Sequence, residues 1–146
     1  MQFSISRENL LKPLQQVCGV LSNRPNIPVL NNVLLQIEDN RLTITGTDLE
    51  VELSSYTQLS SSTADGAFTI PAKKFLDICR TLSDEFEITV TFEEDRAIVE
   101  SGRSKFNLTT LPAEEYPNLP DWQSEVDFAL PQSTLRRLIE ATQFSM

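Results

Sequence analysis

Histidine is absent from this chain of 146 residues, cysteine occurs twice and glycine four times. Without histidine there is no Ser-His-Asp triad, no Cys-His pair and no imidazole to ligate a metal. The few glycines form neither a GxGxxG nor a GxxxxGKS/T phosphate loop. No apolar run approaches the roughly 18 to 20 residues of a membrane span. The opening MQFSISREN lacks the apolar core of a signal peptide. Two cysteines without CxxC spacing then point to a reducing compartment, and the expected location is cytoplasmic, with no membrane partner. What is present, 40% apolar and 23% charged residues, is the composition of a folded soluble domain. Twelve basic against 21 acidic residues leave a formal charge of −9.

One local pattern recurs three times. It reads FSISRENLL from Phe3, FTIPAKKFL from Phe68 and FALPQSTLR from Phe128, with starts 65 and 60 residues apart. Each copy alternates apolar residues in a short strand, and then Ser or Pro opens a helix. The helices are expected near Arg7–Leu21, Ala72–Leu82 and Gln132–Ser145. Leu10, Leu14, Val17 and Cys18 share one face of the first, and Phe75, Leu76 and Cys79 one face of the second. Pro13 should kink the first helix or remove one of its hydrogen bonds. Strands follow at Val33–Glu38 and from Arg41, joined by an Asp39-Asn40 turn. The second copy repeats the plan at Glu87–Phe92, Arg96–Glu100 and Lys105–Leu108, with Glu93-Glu94-Asp95 as a turn. Each unit is thus β-α-β-β-β, one helix laid on a small sheet, and the fold class is α+β with antiparallel sheets. Units at about 1–60 and 66–118 make one domain, 1–120. Ser60–Gly66 reads as a flexible connector, and Pro112, Pro117 and Pro120 as a stiff linker ending near Trp122. Residues 121–146 supply only the opening strand and helix of a further domain, so the sequence reads as part of a longer protein.

Charge is sorted between the elements. The three helices hold Arg7, Lys12, Lys73, Lys74, Arg80, Arg136 and Arg137 against Glu8, Asp77 and Glu140. Seven bases against three acids leave five bases against 18 acids for everything else. Lysines outside a helix are commonly just a solvated face. Their recurrence on all three helices of an acidic chain suits phosphate contacts that attract without reading sequence. The acidic remainder would repel nucleic acid elsewhere. Arg24 lies in Asn23-Arg24-Pro25-Asn26-Ile27-Pro28, a loop stiffened by two prolines, from which a long cation can reach a phosphate. Asp48, Glu50 and Glu52 on one strand face suggest a Mg²⁺-dependent nuclease, or simply the wet side of a sheet. An acidic mimic of DNA would cluster its acids on the outward helix faces, where the bases lie instead. Phe106 and Leu108 on one strand face are core residues or part of an interface.

The stretches LLKPLQQVCGVLSNRPNIPVLNNVLL, LTITGTDLEVEL, IPAKKFLDICRTL, SGRSKFNLTTLPAEEYPNLPDW and LIEATQFSM closely resemble the bacterial DNA polymerase III beta subunit, the replicative sliding clamp. The resemblance covers the whole chain in the family's order and spacing. It implies a DNA-clamp fold of paired β-α-β-β-β units, with helices packed on one side of antiparallel sheets. It implies no catalysis and no cofactor. Two three-domain subunits of the family close head to tail into a ring around duplex DNA and tether the polymerase without sequence-specific contacts.

Carried onto this sequence, the resemblance makes Arg24 and Lys73 DNA-contacting positions, with Lys12, Lys74, Arg80, Arg136 and Arg137 as further candidates. Some members carry arginine at the position of Lys73, so its contact keeps the charge and loses the guanidinium fork. Arg96, Arg103, Lys105, Phe106 and Leu108 match the first domain's face of the subunit interface. The polymerase and clamp-loader pocket belongs to the second and third domains. This chain alone is therefore expected to be monomeric and to bind DNA weakly, with a steep salt dependence.

Overall fold

A computed structural model describes residues 1–118 and 124–146. The elements are β1 Gln2–Ile5, α1 Arg7–Cys18, β2 Asn32–Glu38, β3 Arg41–Thr47, β4 Glu52–Gln58, β5 Ser61–Ser62, β6 Gly66–Pro71, α2 Ala72–Thr81, β7 Ile88–Glu93, β8 Arg96–Ser101, β9 Ser104–Thr109 and α3 Gln132–Thr142. The Ser6 hydroxyl starts α1 by accepting the Asn9 amide at 3.3 Å. Leu10, Leu14 and Val17 then face inward, and α1 runs unbroken through a buried Pro13. The β2–β3 turn at Asp39-Asn40 has φ of 49° and 61°. That left-handed pair matches the right-handed twist of a two-residue hairpin.

The units do not each build a private sheet. The order β5-β1-β7-β8-β9 puts the first unit's leading strand beside the second unit's three strands, and β4-β3-β2-β6 does the converse. Phe3 opposes Val90, and Leu35 opposes Phe68, in antiparallel register. Hydrophobic patterning marks the strands but not their partners, because every copy presents the same alternation. The exchange gives the two units one continuous core, with Phe3, Ile5, Leu14, Ile44, Phe68, Phe75 and Val99 all buried in it.

The connector after β4 is held, not flexible. The Ser60 amide donates to the Ser4 carbonyl at 2.9 Å and the Thr63 amide to the Gln2 carbonyl at 2.9 Å, and β5 pairs with β1. Across the other seam, the Thr69 amide donates to the Leu111 carbonyl at 3.3 Å. Past it the chain makes a short 3-10 turn at Ala113–Glu115. Tyr116, 3% exposed, packs with Val29 and Leu34 and donates its hydroxyl to the Thr45 carbonyl at 3.2 Å. This pins the linker to the back of the β4-β3-β2-β6 sheet. Pro120 and Trp122 lie outside the described residues.

The third copy departs from its pattern. Gln132–Thr142 is helical, but residues 124–131 form no strand, and Phe128 is 82% exposed. A strand takes both its hydrogen bonds and its burial from a neighbour, and among the described residues none is paired with this segment. Leu135, Leu138 and Ile139 are about half exposed.

Tyr116→Phe is expected to lower the unfolding free energy by about 1 kcal/mol, the net worth of one hydrogen bond. Tyr116→Ala should cost about 3 to 5 kcal/mol. Urea titration of both variants checks this, and equal losses would contradict it. Burial pushes the Cys79 thiol and the Tyr116 phenol up to about 12. Both groups keep protons in the fold that the unfolded chain releases, so their contribution is complete below about pH 9 and is lost towards pH 12. Stability measured by urea between pH 7 and 11 should be flat at first and then fall. The fall should be shallower in Tyr116→Phe.

Candidate nucleic-acid interface

Helices α1 and α2 pack against each other, α1 resting on β3 and β4 and α2 on β2 and β6. Gly46 in β3 allows the close approach. A Cβ there would lie 2.6 Å from Val17 Cγ1 and 3.1 Å from the Val17 carbonyl. With their apolar faces buried, the helices turn Lys12, Lys73 and Lys74 outward, all exposed.

Not every helix cation is available. Arg7 donates from Nε to the Cys79 carbonyl at 2.8 Å and from its terminal nitrogens to the Arg80 carbonyl at 3.1 Å and Asp84 at 2.8 Å. It satisfies carbonyls at the end of α2, where the helix dipole favours positive charge. Arg80 faces Asp77 at 3.7 Å, and on α3 Arg136 pairs with Glu140 at 2.9 Å. Arg137 is exposed. Both α3 arginines lie beyond the undescribed residues.

Lys73 and the Arg24 loop come together. The Lys73 ammonium donates to Asn23 Oδ1 at 2.8 Å, next to the exposed Arg24, whose amide is held by the Ser22 hydroxyl at 3.2 Å. A depression of about 200 Å³ beside Lys73 is lined by Leu21, Ser22, Asn31, Pro71, Lys73 and Lys74. Pro71, the N-cap of α2, offers no side-chain cap, and the first turn holds no acid. A first turn without a side-chain cap and two lysines therefore meet at one helix start, which favours an anion. The Asn23 tie and the uncapped turn escaped the sequence reading. Pro71 before Lys73-Lys74 was their only trace.

Strand β8, the edge strand β9 and the turn between them carry the other candidates. Arg96 and Arg103 sit near opposite ends of β8, roughly 20 Å apart at strand rise. Lys105 pairs with Glu100 at 3.1 Å, and Arg96 faces Asp95 at 3.8 Å. Phe106 is half-buried against the core, while Leu108 is 8% exposed and belongs to the core itself. These residues line the length of an exposed hairpin and do not converge on one point.

The acidic triplet is not a strand face. Strand β3 ends at Thr47 and β4 begins at Glu52, with a turn between them. Asp48 accepts the amides of Glu50 at 2.9 Å and Val51 at 2.8 Å, and these bonds hold its carboxyl below the usual carboxylate range. Its Oδ1 fixes a tight turn in which Leu49 adopts φ 77°. Among the described residues no group of three or more carboxylate or cysteine side chains is placed to hold a metal. Burial pushes Cys18 up to about 11 and Cys79 to about 12, far from the thiolate a nucleophile needs.

The chain is 88% identical to the beta sliding clamp of Haemophilus influenzae and 58% identical to that of Salmonella typhimurium, over its full length. It spans about 40% of the length of each. Its fold matches the crystal structure of the DNA polymerase III subunit beta from Pseudomonas aeruginosa with a TM-score of 0.94 at 46% identity. That match covers 99% of this chain and 39% of the other. Residues 1–120 match the family model for the DNA polymerase III beta subunit, N-terminal domain, and the chain belongs to that family.

Proposed function

We propose that this chain supplies the first domain, 1–120, and the beginning of a second, 121–146, of a replicative sliding clamp. The assembled clamp is a non-catalytic ring that encircles duplex DNA and keeps the replicative polymerase from leaving its template. The observation that carries the reading is the corner at the start of α2, where Lys73 is bonded to Asn23 beside Arg24. Cations on a rigid loop and an uncapped helix start hold phosphates by charge alone, and contacts that ignore base edges let the protein slide. Lys12 and Lys74 extend this surface along the helices, and Arg80, Arg136 and Arg137 are weaker contributors because two of the three are already paired with carboxylates.

In the ring, the β9 hairpin meets a second subunit. Arg96, Arg103 and Lys105 meet acids there, and Phe106 supplies the apolar contact. Leu108 supports Phe106 from inside. Polymerase and clamp loader dock on domains beyond this sequence. The chain by itself is a cytoplasmic monomer with low DNA affinity.

Anisotropy of labelled duplexes, titrated with salt, tests this. Each phosphate contact contributes a slope of about −0.9 in log K against log salt concentration. Arg24→Ala and Lys73→Ala should each weaken binding several-fold on every sequence and reduce the slope by about 1. Unchanged binding in both variants, or a loss confined to one DNA sequence, would refute the assignment. Sedimentation at micromolar concentration should give a single species of 16.5 kDa.

A further inference from the structure

The two exchanged units share a register that pairs Phe3 with Phe68, Asn40 with Asp95 and Leu59 with Thr110. The pairing shows in the hydrogen bonds. The Leu59 amide donates to the Asn40 carbonyl at 3.0 Å, and the Thr110 amide to the Asp95 carbonyl at 2.8 Å. In the first unit Leu59 is 4% exposed and packs into the core. The second unit puts a smaller, polar threonine at that place, and a groove of about 280 Å³ opens beside it.

Met1, Phe68, Phe92, Leu111 and Pro112 give the groove an apolar wall, with the Met1 ammonium turned to the Phe92 carbonyl at 3.4 Å, and Glu94, Asp95 and Glu114 stand on its rim. All three carboxylates are exposed. Among the described residues only Asp95 has an ion-pair partner, Arg96 at 3.8 Å. The volume falls just below the roughly 300 to 1,000 Å³ of small-molecule sites and suits one or two large apolar side chains.

We propose that this groove is a docking site for a short basic segment of another protein. One large apolar side chain of that segment enters beside Thr110, as Leu59 enters the core of the first unit, and its lysines or arginines face Glu94, Asp95 and Glu114. Charge selects the occupant. A second copy of this chain, at −9, would bring acid against acid, whereas a basic segment gains from both the wall and the rim.

The test is amide chemical-shift mapping of the full chain with the peptide Lys-Lys-Leu-Phe-Lys-Lys, alongside Glu-Glu-Leu-Phe-Glu-Glu as a counterpart. The basic peptide should shift Phe92, Thr110 and Leu111, and the acidic one should not bind. Thr110→Leu, which restores the residue of the first unit, should weaken binding at least tenfold with the melting temperature kept. The double reversal Glu94→Lys/Glu114→Lys changes only exposed side chains, should also weaken binding about tenfold, and decides the matter alone if Thr110→Leu does not fold. Absence of binding at millimolar peptide, equal binding of both peptides, shifts located elsewhere, or indifference to the charge reversal would each overturn the proposal. So would concentration-dependent self-association abolished by Thr110→Leu, because the occupant would then be a second copy.

Discussion

The structure depends on an exchange of leading strands. Strand β1 completes the sheet of β7, β8 and β9, and β6 completes the sheet of β2, β3 and β4. Neither unit can close its sheet without the other, so the pair is the folding unit and its core is continuous. Pairing β1 with β7 joins residues more than 80 positions apart. Such contacts make folding slow relative to a helical bundle, because long loops must close before any sheet hydrogen bond forms. The exchange also fixes the two helices. Each follows directly from a strand that lies in the other unit's sheet, so α1 and α2 are delivered side by side on one layer.

That layer explains how a chain with a charge of −9 can present a surface suited to phosphate. The apolar stripes of α1 and α2 are used up against the sheets, and the charged residues left outward are Lys12, Lys73, Lys74 and Arg80 against Glu8 and Asp77. Arg7 shows the opposite use of a cation. It is sunk to 20% side-chain exposure and spent on two helix carbonyls and Asp84. The difference follows from position, since Arg7 opens α1 beside the end of α2 and Lys73 opens α2 beside the Arg24 loop. A count of basic residues per helix treats both alike, and only the packing separates them.

Much of this was legible in the sequence because local patterns carry it. Helix starts at Arg7, Ala72 and Gln132, the Asp39-Asn40 turn and the outward lysines all follow from spacing and turn chemistry within a few residues. The errors share one cause: each concerned a partner distant in the chain. The strand exchange, the hydrogen-bonded connector at Ser60–Thr63 and the segment around Phe128, which pairs with no strand among the described residues, are set by what lies alongside, which period-two alternation does not name. Asp48 is the exception, a local error. Its alternation with Glu50 and Glu52 imitates a strand face, yet an aspartate just before a chain reversal can accept the amides two and three residues on and turn the chain.

Duplication also shows where the surface has been specialised. The two units agree closely in strand register but differ in what joins helix to strand. After α1 the chain travels from Gly19 through Arg24, Pro25 and Pro28 before β2 begins at Asn32, whereas α2 reaches β7 through the short stretch from Leu82 to Glu87. The longer connection is the one that carries the basic loop, and it exists in one unit only. The extra residues after α1 serve the fold in part, since Val29 and Leu30 among them are buried and Val29 packs with Leu34 and Tyr116. They also reach the start of α2, where Asn23 meets Lys73. A symmetrical scaffold thus acquires one basic corner from one inserted loop, and that corner sits where the strand exchange has already brought the two helices together.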